Sequence, residues 1–200
     1  MRVKTDAKRS ELLAAAAEVF LEQGYERTLM SHVSDRAKCS KGTLYSYFSS
    51  KEALFCEAVL AATVNEAEEV FVQLGPADEE PEAMLLKFGV GYLRAVYSPR
   101  FQALRRLVFS ATFDSDVGRS VYEKAVKPYE MRAAELLAAA MTNGRLRSAD
   151  AEIAASHLCG LLESELLLKF LLQALDNPTP GKLRAVAQRA VAVFVAAYRS

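Results

Sequence analysis

The sequence predicts an all-α protein of about nine helices. A three-helix helix-turn-helix domain lies over residues 1–50, and a larger helical domain over 51–200. Three observations support this. Apolar residues make up 52% of the 200, Ala and aliphatic side chains dominate them, and Trp is absent. Gly and Pro are sparse, at 9 and 6 residues, a composition that favours helices. Apolar positions recur at helical spacing between turn signals, and no alternating run is long enough for a sheet.

The first helix is read from Lys8 to Gln23, with Leu13, Ala16, Ala17 and Phe20 on one inward stripe. Gly24 follows as a left-handed stop and Tyr25 as its apolar clasp. Thr28 is the expected N-cap of a second helix from Leu29 to Lys38, with Met30, Val33 and Ala37 inward. Ser40 caps a third, from Lys41 to Phe48, and the turn between them is that of a helix-turn-helix. Ser49 and Glu52 form an S-x-x-E capping box for a fourth helix that runs towards Leu74 and stops at Gly75-Pro76. Further helices are read over 81–97, 100–113, 116–142, 149–175 and 181–198. They are separated by Ser98-Pro99, Asp114-Ser115, Asn143-Gly144 and Asn177-Pro178-Thr179-Pro180.

The segment SKGTLYSYFSSKEAL, Ser40 to Leu54, carries the functional signal. With about 100° per residue, Phe48 and Ser40 fall about 40° either side of Leu44, and this side faces a core. Gly42 and Ser46 lie near 160°, on the far side. The outer face is therefore Lys41, Gly42, Thr43, Tyr45, Ser46 and Tyr47. It reads either as an ordinary solvated surface or as a contact face. Three features weigh towards contact. Gly42 leaves the backbone open to close approach although Gly costs a helix about 1 kcal/mol against Ala. The side chains present are donors suited to phosphates and base edges. Lys51 opens the fourth helix, where free N–H groups and the dipole favour an anion and a cation is mildly unfavourable.

Formal charge is zero overall, with nine Lys and Arg against six Asp and Glu through residue 51, a weak local excess compatible with a phosphate-contacting surface. The three cysteines, Cys39, Cys56 and Cys159, show no paired spacing, so a disulfide framework is not expected, and a thiol sensor ranks below structural thiols. No signal peptide and no membrane-spanning run is recognisable, and a cytoplasmic protein is expected. His157 and Cys159 point about 200° apart on a helix and cannot share a metal. No nucleophile-and-base pair and no phosphate-cradling glycine loop appears, so neither an enzyme nor a cofactor or metal is expected.

Arg9, LLAAAAEVFLEQGY (Leu12–Tyr25), Thr28, AKCSKGTLYSYFSSKEAL (Ala37–Leu54) and Ala58 together resemble the TetR family of bacterial transcriptional regulators. The resemblance covers nearly all of the first 55 residues without gaps. LRRLVFSATFDSDVGRSVYEKAV (Leu104–Val126) and the later GRLRSADAEIAASHL are similar to the AefR-like subgroup. The resemblance implies a homodimer that binds a double-stranded DNA operator with its third helix in the major groove. By position, Lys41, Gly42, Thr43, Tyr45, Ser46 and Tyr47 would face DNA, and Lys51 would reach a phosphate. Thr28 would cap helix two and touch phosphate, and Ser31 occupies a position used for DNA contact. The chain departs from the family where Lys38 replaces a turn glycine. A lysine there must accept a left-handed backbone, and it offers one more phosphate contact in exchange.

The last helix places Leu183, Val186, Ala187, Ala190, Val191, Phe194 and Tyr198 on one stripe, and the helix before it is apolar around much of its circumference. This is either a plain core or, as the resemblance implies, a dimer interface formed by the last two helices, with Ala154, Ala155 and Gly160 allowing close approach. Phe88, Tyr92, Phe109, Phe113, Tyr122 and Met131 are either plain core or walls for a small apolar or amphipathic effector. The function expected is a ligand-responsive repressor released from a palindromic operator. The alternatives are an activator of the same fold and a helical small-molecule binding protein that does not use DNA.

Overall fold

A computed structural model describes residues 5–72, 80–111 and 116–200. They form α1 (Asp6–Gln23), α2 (Met30–Arg36), α3 (Lys41–Tyr47), α4 (Lys51–Val72), α5 (Pro81–Val96), α6 (Pro99–Ala111), α7 (Val117–Val121), α8 (Lys127–Thr142), α9 (Ala151–Glu163), α10 (Leu167–Leu171) and α11 (Pro180–Tyr198). Among the described residues there is no strand, only an isolated antiparallel bridge between Leu146 and Arg199. The expected stops at Gly75-Pro76 and Asp114-Ser115 lie outside the described residues.

Local chemistry sets most of the ends. Thr5 caps α1, its hydroxyl accepting from Lys8 N–H at 3.2 Å. Gly24 closes α1 with φ +81° and ψ 164°; it has the positive φ expected of it, but not the left-handed helical ψ. Asp150 caps α9 by accepting from the N–H groups of Glu152 and Ile153. Thr179 caps α11, with Pro180 in the first turn, where the missing N–H costs nothing.

Four expected details are corrected; the first is the helix read over 149–175, which is two, α9 ending at Glu163 and α10 covering only Leu167–Leu171. The N-cap of α2 is Leu29, not Thr28, whose hydroxyl instead donates to the Gly24 carbonyl at 2.7 Å from a fully buried position. The cap of α4 is Ser50, whose hydroxyl accepts from Ala53 N–H at 3.0 Å. Glu52 is not part of a box with Ser49; its carboxylate accepts from the Ser120 hydroxyl at 2.9 Å. The helix read over 116–142 is interrupted by a π-helical turn at Tyr122–Val126. Pro128 follows it. Its ring clashes with the carbonyl four residues back and it has no N–H to donate, so the α pattern loosens there.

By compactness the described chain falls into two units, drawn differently from a division at residue 50. One comprises residues up to Val64 with Gln102–Val126, the other Asn65–Phe101 with Lys127–Ser200. The first is built on Leu12, Ala16, Val19 and Phe20 of α1, Val33 of α2, Leu44 of α3 with Phe48 just after it, and Leu54, Phe55 and Val59 of α4. Leu104, Leu107, Val117 and Val121 complete this cluster. Phe55 meets Phe20 and Tyr25 edge-on, with ring centroids 5.0 and 4.9 Å away.

In the second unit α11 packs on α5 and α9, and α8 on α9. The seven residues expected on the inner stripe of α11 are its buried ones. Gly89 of α5 has a packing reason: an added Cβ would lie 2.8 Å from Leu162 Cδ2 and 3.4 Å from Ala187 Cβ.

The cap assignment has a direct consequence. Ser50→Ala should lower folding stability by about 1 kcal/mol, the ordinary worth of an N-cap, whereas Ser49→Ala should change it by no more than a few tenths. Urea denaturation of the two variants checks this.

Candidate nucleic-acid interface

The interface is built around α3, a seven-residue helix. Such a helix is far too short to persist alone. Its inner side holds it: Leu44 is fully buried and Phe48 is 1% exposed. Ser40 fixes its start, its hydroxyl accepting from Thr43 N–H at 3.0 Å. The chain enters α3 through a Schellman turn after α2, in which Cys39 N–H donates to the Ser34 carbonyl at 2.9 Å and Lys38 N–H to Asp35 at 3.1 Å. Lys38 occupies the left-handed position of that turn, with φ +47°. A non-glycine residue there costs about 1 kcal/mol.

On the outer side the six predicted residues divide by what their polar groups already do. Lys41 and Tyr45 are exposed, and neither side chain has a polar partner among the described residues. The Thr43 and Ser40 hydroxyls lie 2.9 Å apart, and the Ser46 hydroxyl donates to the Thr43 carbonyl at 2.7 Å. Tyr47 is half-buried, and its hydroxyl accepts the Thr5 N–H at 3.1 Å, which ties α3 to the start of α1. Gly42 is exposed, has no positive φ, and an added Cβ would meet only the Ser40 hydroxyl oxygen at 3.8 Å. Nothing among the described residues requires glycine at this position.

The other predicted contacts sit elsewhere. Ser31 is half-exposed on α2. Thr28 is 0% exposed and has no surface to offer a phosphate. Lys51 reaches inward: its ammonium donates to the carbonyls of Tyr25 and Glu26 at 3.0 and 3.4 Å and lies 4.3 Å from the centre of the Tyr25 ring. These carbonyls offset the unfavourable placement of a cation at a helix N-terminus. Burial, reinforced by the charges of Glu52 and Glu26, pushes the Tyr25 phenol above its ordinary range, so the ring stays neutral beneath the ammonium.

The arginines of the first three helices and their turns are also committed. Arg9 pairs with Glu57 and lies over the Phe48 ring. Arg27 donates to the Gln23 carbonyl, and Arg36 bridges Glu18 and Glu22. The hydrogen bond from Arg36 holds the Glu22 carboxyl below its usual range.

The residues considered as effector walls are not brought together within one unit. Phe88 and Tyr92 stack in the second unit with ring centroids 6.0 Å apart, Phe88 being 2% exposed. Met131, also in the second unit, is 48% exposed. Phe109 and Tyr122 belong to the first unit and are 43% and 44% exposed. Phe113 lies outside the described residues. The sequence reading missed Tyr97 and Glu163. The Tyr92 and Tyr97 hydroxyls donate to the two oxygens of the Glu163 carboxylate at 2.7 and 3.0 Å. Partners 71 and 66 residues apart leave no local pattern to find.

The thiols are raised. Burial, joined by the Glu130 and Glu163 charges, pushes Cys159 up to about 12, and burial also raises Cys56 and Cys39. His157 Nδ1 lies 2.7 Å from the Tyr198 hydroxyl.

A family model described as bacterial regulatory proteins, tetR family, matches residues 12–58. Another, described as the C-terminal domain of AefR-like transcriptional repressors, matches residues 83–200. The HTH-type transcriptional activator FasR of Mycolicibacterium smegmatis is 46% identical over 54 residues, 27% of this chain and 25% of FasR, so the likeness spans about a quarter of that protein. Among solved structures, one described as a TetR-family transcriptional regulator from Mesorhizobium loti superposes with a TM-score of 0.84 at 26% identity, covering 98% of this chain and 100% of that one. The flavonoid-responsive regulator FrrA superposes with a TM-score of 0.77 at 28% identity, covering 98% of each chain.

The placement of Lys51 separates two roles. If it clamps the turn after α1, Lys51→Ala should lower the stability of the DNA-free protein by about 1 kcal/mol, from lost charge-assisted hydrogen bonds discounted for partial exposure. Chemical denaturation without DNA measures this. Unchanged stability would show that Lys51 does not clamp the turn.

Proposed function

Because this chain belongs to the TetR family of transcriptional regulators, we propose that it is a ligand-responsive repressor that reads a palindromic operator as a homodimer. The observation that carries this reading is the outer face of α3. Among the described residues an added Cβ at Gly42 meets only the Ser40 hydroxyl oxygen, and Lys41 and Tyr45 beside it hold no polar partner. A side chain at Gly42 would hold the backbone off the groove floor, while Lys41 and Tyr45 supply donors for phosphate oxygens and base edges. Thr43 and Ser46 border the same face, and Tyr47 and Ser31 contribute from its margins. Two such helices in a symmetric dimer meet successive major grooves about 34–36 Å apart, or a multiple of that.

The dimer is proposed to form through the last helices, by residues left over from the core. Ala154 and Ala155 are buried within the protein's own second unit and do not serve. Ile153, Leu168, Leu171, Leu172 and Val193 are exposed apolar side chains of α9 to α11 and the residue after α10, and Gly160 has open space around it. Burying such side chains against a second copy removes apolar surface from water at about 25 cal/mol per Å².

The effector is proposed to be a small apolar or amphipathic molecule bound beside Phe88 and Tyr92, with the Glu163 carboxylate and its tyrosines as polar neighbours. FrrA responds, by its name, to flavonoids, which supports an effector of this general kind. An effector that binds the DNA-incompetent state better shifts the population and releases the operator. Repression is favoured over activation by the repressor description of the matching C-terminal model, although FasR is an activator.

Gly42→Ala is the sharpest test. It should stabilise the fold by about 0.5–1 kcal/mol, the helix propensity difference, while weakening binding to DNA selected by the wild-type protein. A variant that is more stable and binds as well as wild type would remove α3's outer face from the interface. Tyr45→Ala should weaken binding with helicity unchanged by circular dichroism. Leu172→Glu should shift the protein towards monomer in sedimentation velocity and lower its operator affinity in parallel.

A further inference from the structure

The turn ahead of α3 borders a groove of about 640 Å³ lined by Lys8, Ser34, Asp35, Lys38, Cys39, Ser40 and Thr43. Its walls come from α1, the end of α2, the Schellman turn and the first turn of α3. Thr43 belongs both to this groove and to the proposed reading face, so the two surfaces are continuous. Its lining holds two lysines and one carboxylate, that of Asp35, with the hydroxyls of Ser34, Ser40 and Thr43 and the Cys39 thiol. The Lys8 ammonium is 2.8 Å from Glu11, whereas the Lys38 side chain has no polar partner among the described residues. Lys38 is also the residue held at φ +47°, where glycine would fit without strain. A cation with no polar partner among the described residues thus sits at a position where its backbone is unfavourable.

We propose that this groove is a phosphate seat for the DNA strand passing α3, with Lys38 as its principal cation and Lys8 as its second. The inference rests on the DNA-binding reading and deepens it by naming a contact outside α3. As the strand runs along the edge of α3, its backbone crosses the mouth of the groove. The Lys38 ammonium then pairs with one phosphate while the Ser40 and Thr43 hydroxyls edge the same site. The contact carries no base information and adds affinity on every sequence. It also gives the strained turn a function that glycine could not supply.

The test uses the full chain and a duplex selected from random-sequence DNA by the wild-type protein. Lys38→Gly should raise the denaturation midpoint of the free protein. It should weaken duplex binding several-fold, equally on selected and unrelated DNA, and reduce the slope of log K against log salt by about 0.9 for each Lys38 removed from the bound complex. Lys38→Gln should show the same loss of slope without the gain in stability, which separates charge from backbone relief.

Cys39 lines the groove and provides a second readout. Bound duplex should slow its alkylation by N-ethylmaleimide, while Cys56 and Cys159 keep their rates. A selected duplex that binds Lys38→Gly and Lys38→Gln with the wild-type slope overturns the seat and leaves the DNA-binding reading standing. So does Cys39 alkylated equally fast with and without duplex. A wild-type protein that selects no DNA overturns both.

Discussion

Burial of Leu44 and Phe48 is the constraint on which the reading surface depends. Seven residues cannot sustain a helix by backbone hydrogen bonds, because nucleation is too costly. Each of these side chains contributes about 1.5–3 kcal/mol when withdrawn from water, and together they pin α3 into the core it shares with α1, α2 and α4. The pinning fixes the rotation of the helix, and so decides which residues point outward. Ser40 at one end and the Tyr47 hydroxyl at the other set its position along the axis. With stability supplied from within, the outer face can be chosen for contact. That is the setting in which a helix tolerates Gly42.

The two glycines of opposite character make the point. Gly89 sits where Leu162 and Ala187 leave no room, and packing explains it. Gly42 sits in open solvent on a regular helix, and packing does not. A residue that lowers stability without serving the fold is a sign of selection for something outside the monomer. Lys38 belongs in the same class, since it holds a backbone conformation that favours glycine. Both lie within a few residues of each other, at the proposed interface.

Cations in the first three helices and the start of α4 divide sharply. Arg9, Arg27 and Arg36 join the helices and turns to one another, and Lys51 locks the turn after α1 through two carbonyls and a ring. Lys38 and Lys41 make no such pairs among the described residues. The weak basic excess of the first 51 residues therefore understates the asymmetry, because several of its charges are internally used. It is the placement of two lysines, rather than net charge, that makes this surface suited to an anion.

Sequence alone determined the helical class, the order of the helices and the inner and outer faces of α1, α3 and α11. Those features follow from period and from local capping, which are properties of neighbouring residues. The resemblance to the TetR family implied a left-handed backbone at Lys38, where the family carries glycine, and the structure holds that residue at φ +47°. Only the tertiary structure decided what each polar group does. Thr28 has good cap chemistry, but the bend after Gly24 turns its hydroxyl back on that carbonyl and buries it. Lys51 stands where an anion would be welcome, but the turn after α1 presents carbonyls there first. Ser50 outcompetes Ser49 by one residue of register, and Pro128 loosens a helix that periodicity read as continuous. Tyr92, Tyr97 and Glu163 meet only because α5 and α9 pack in one unit. A polar side chain has several partners within reach of its chemistry, and only the packing of distant segments selects among them.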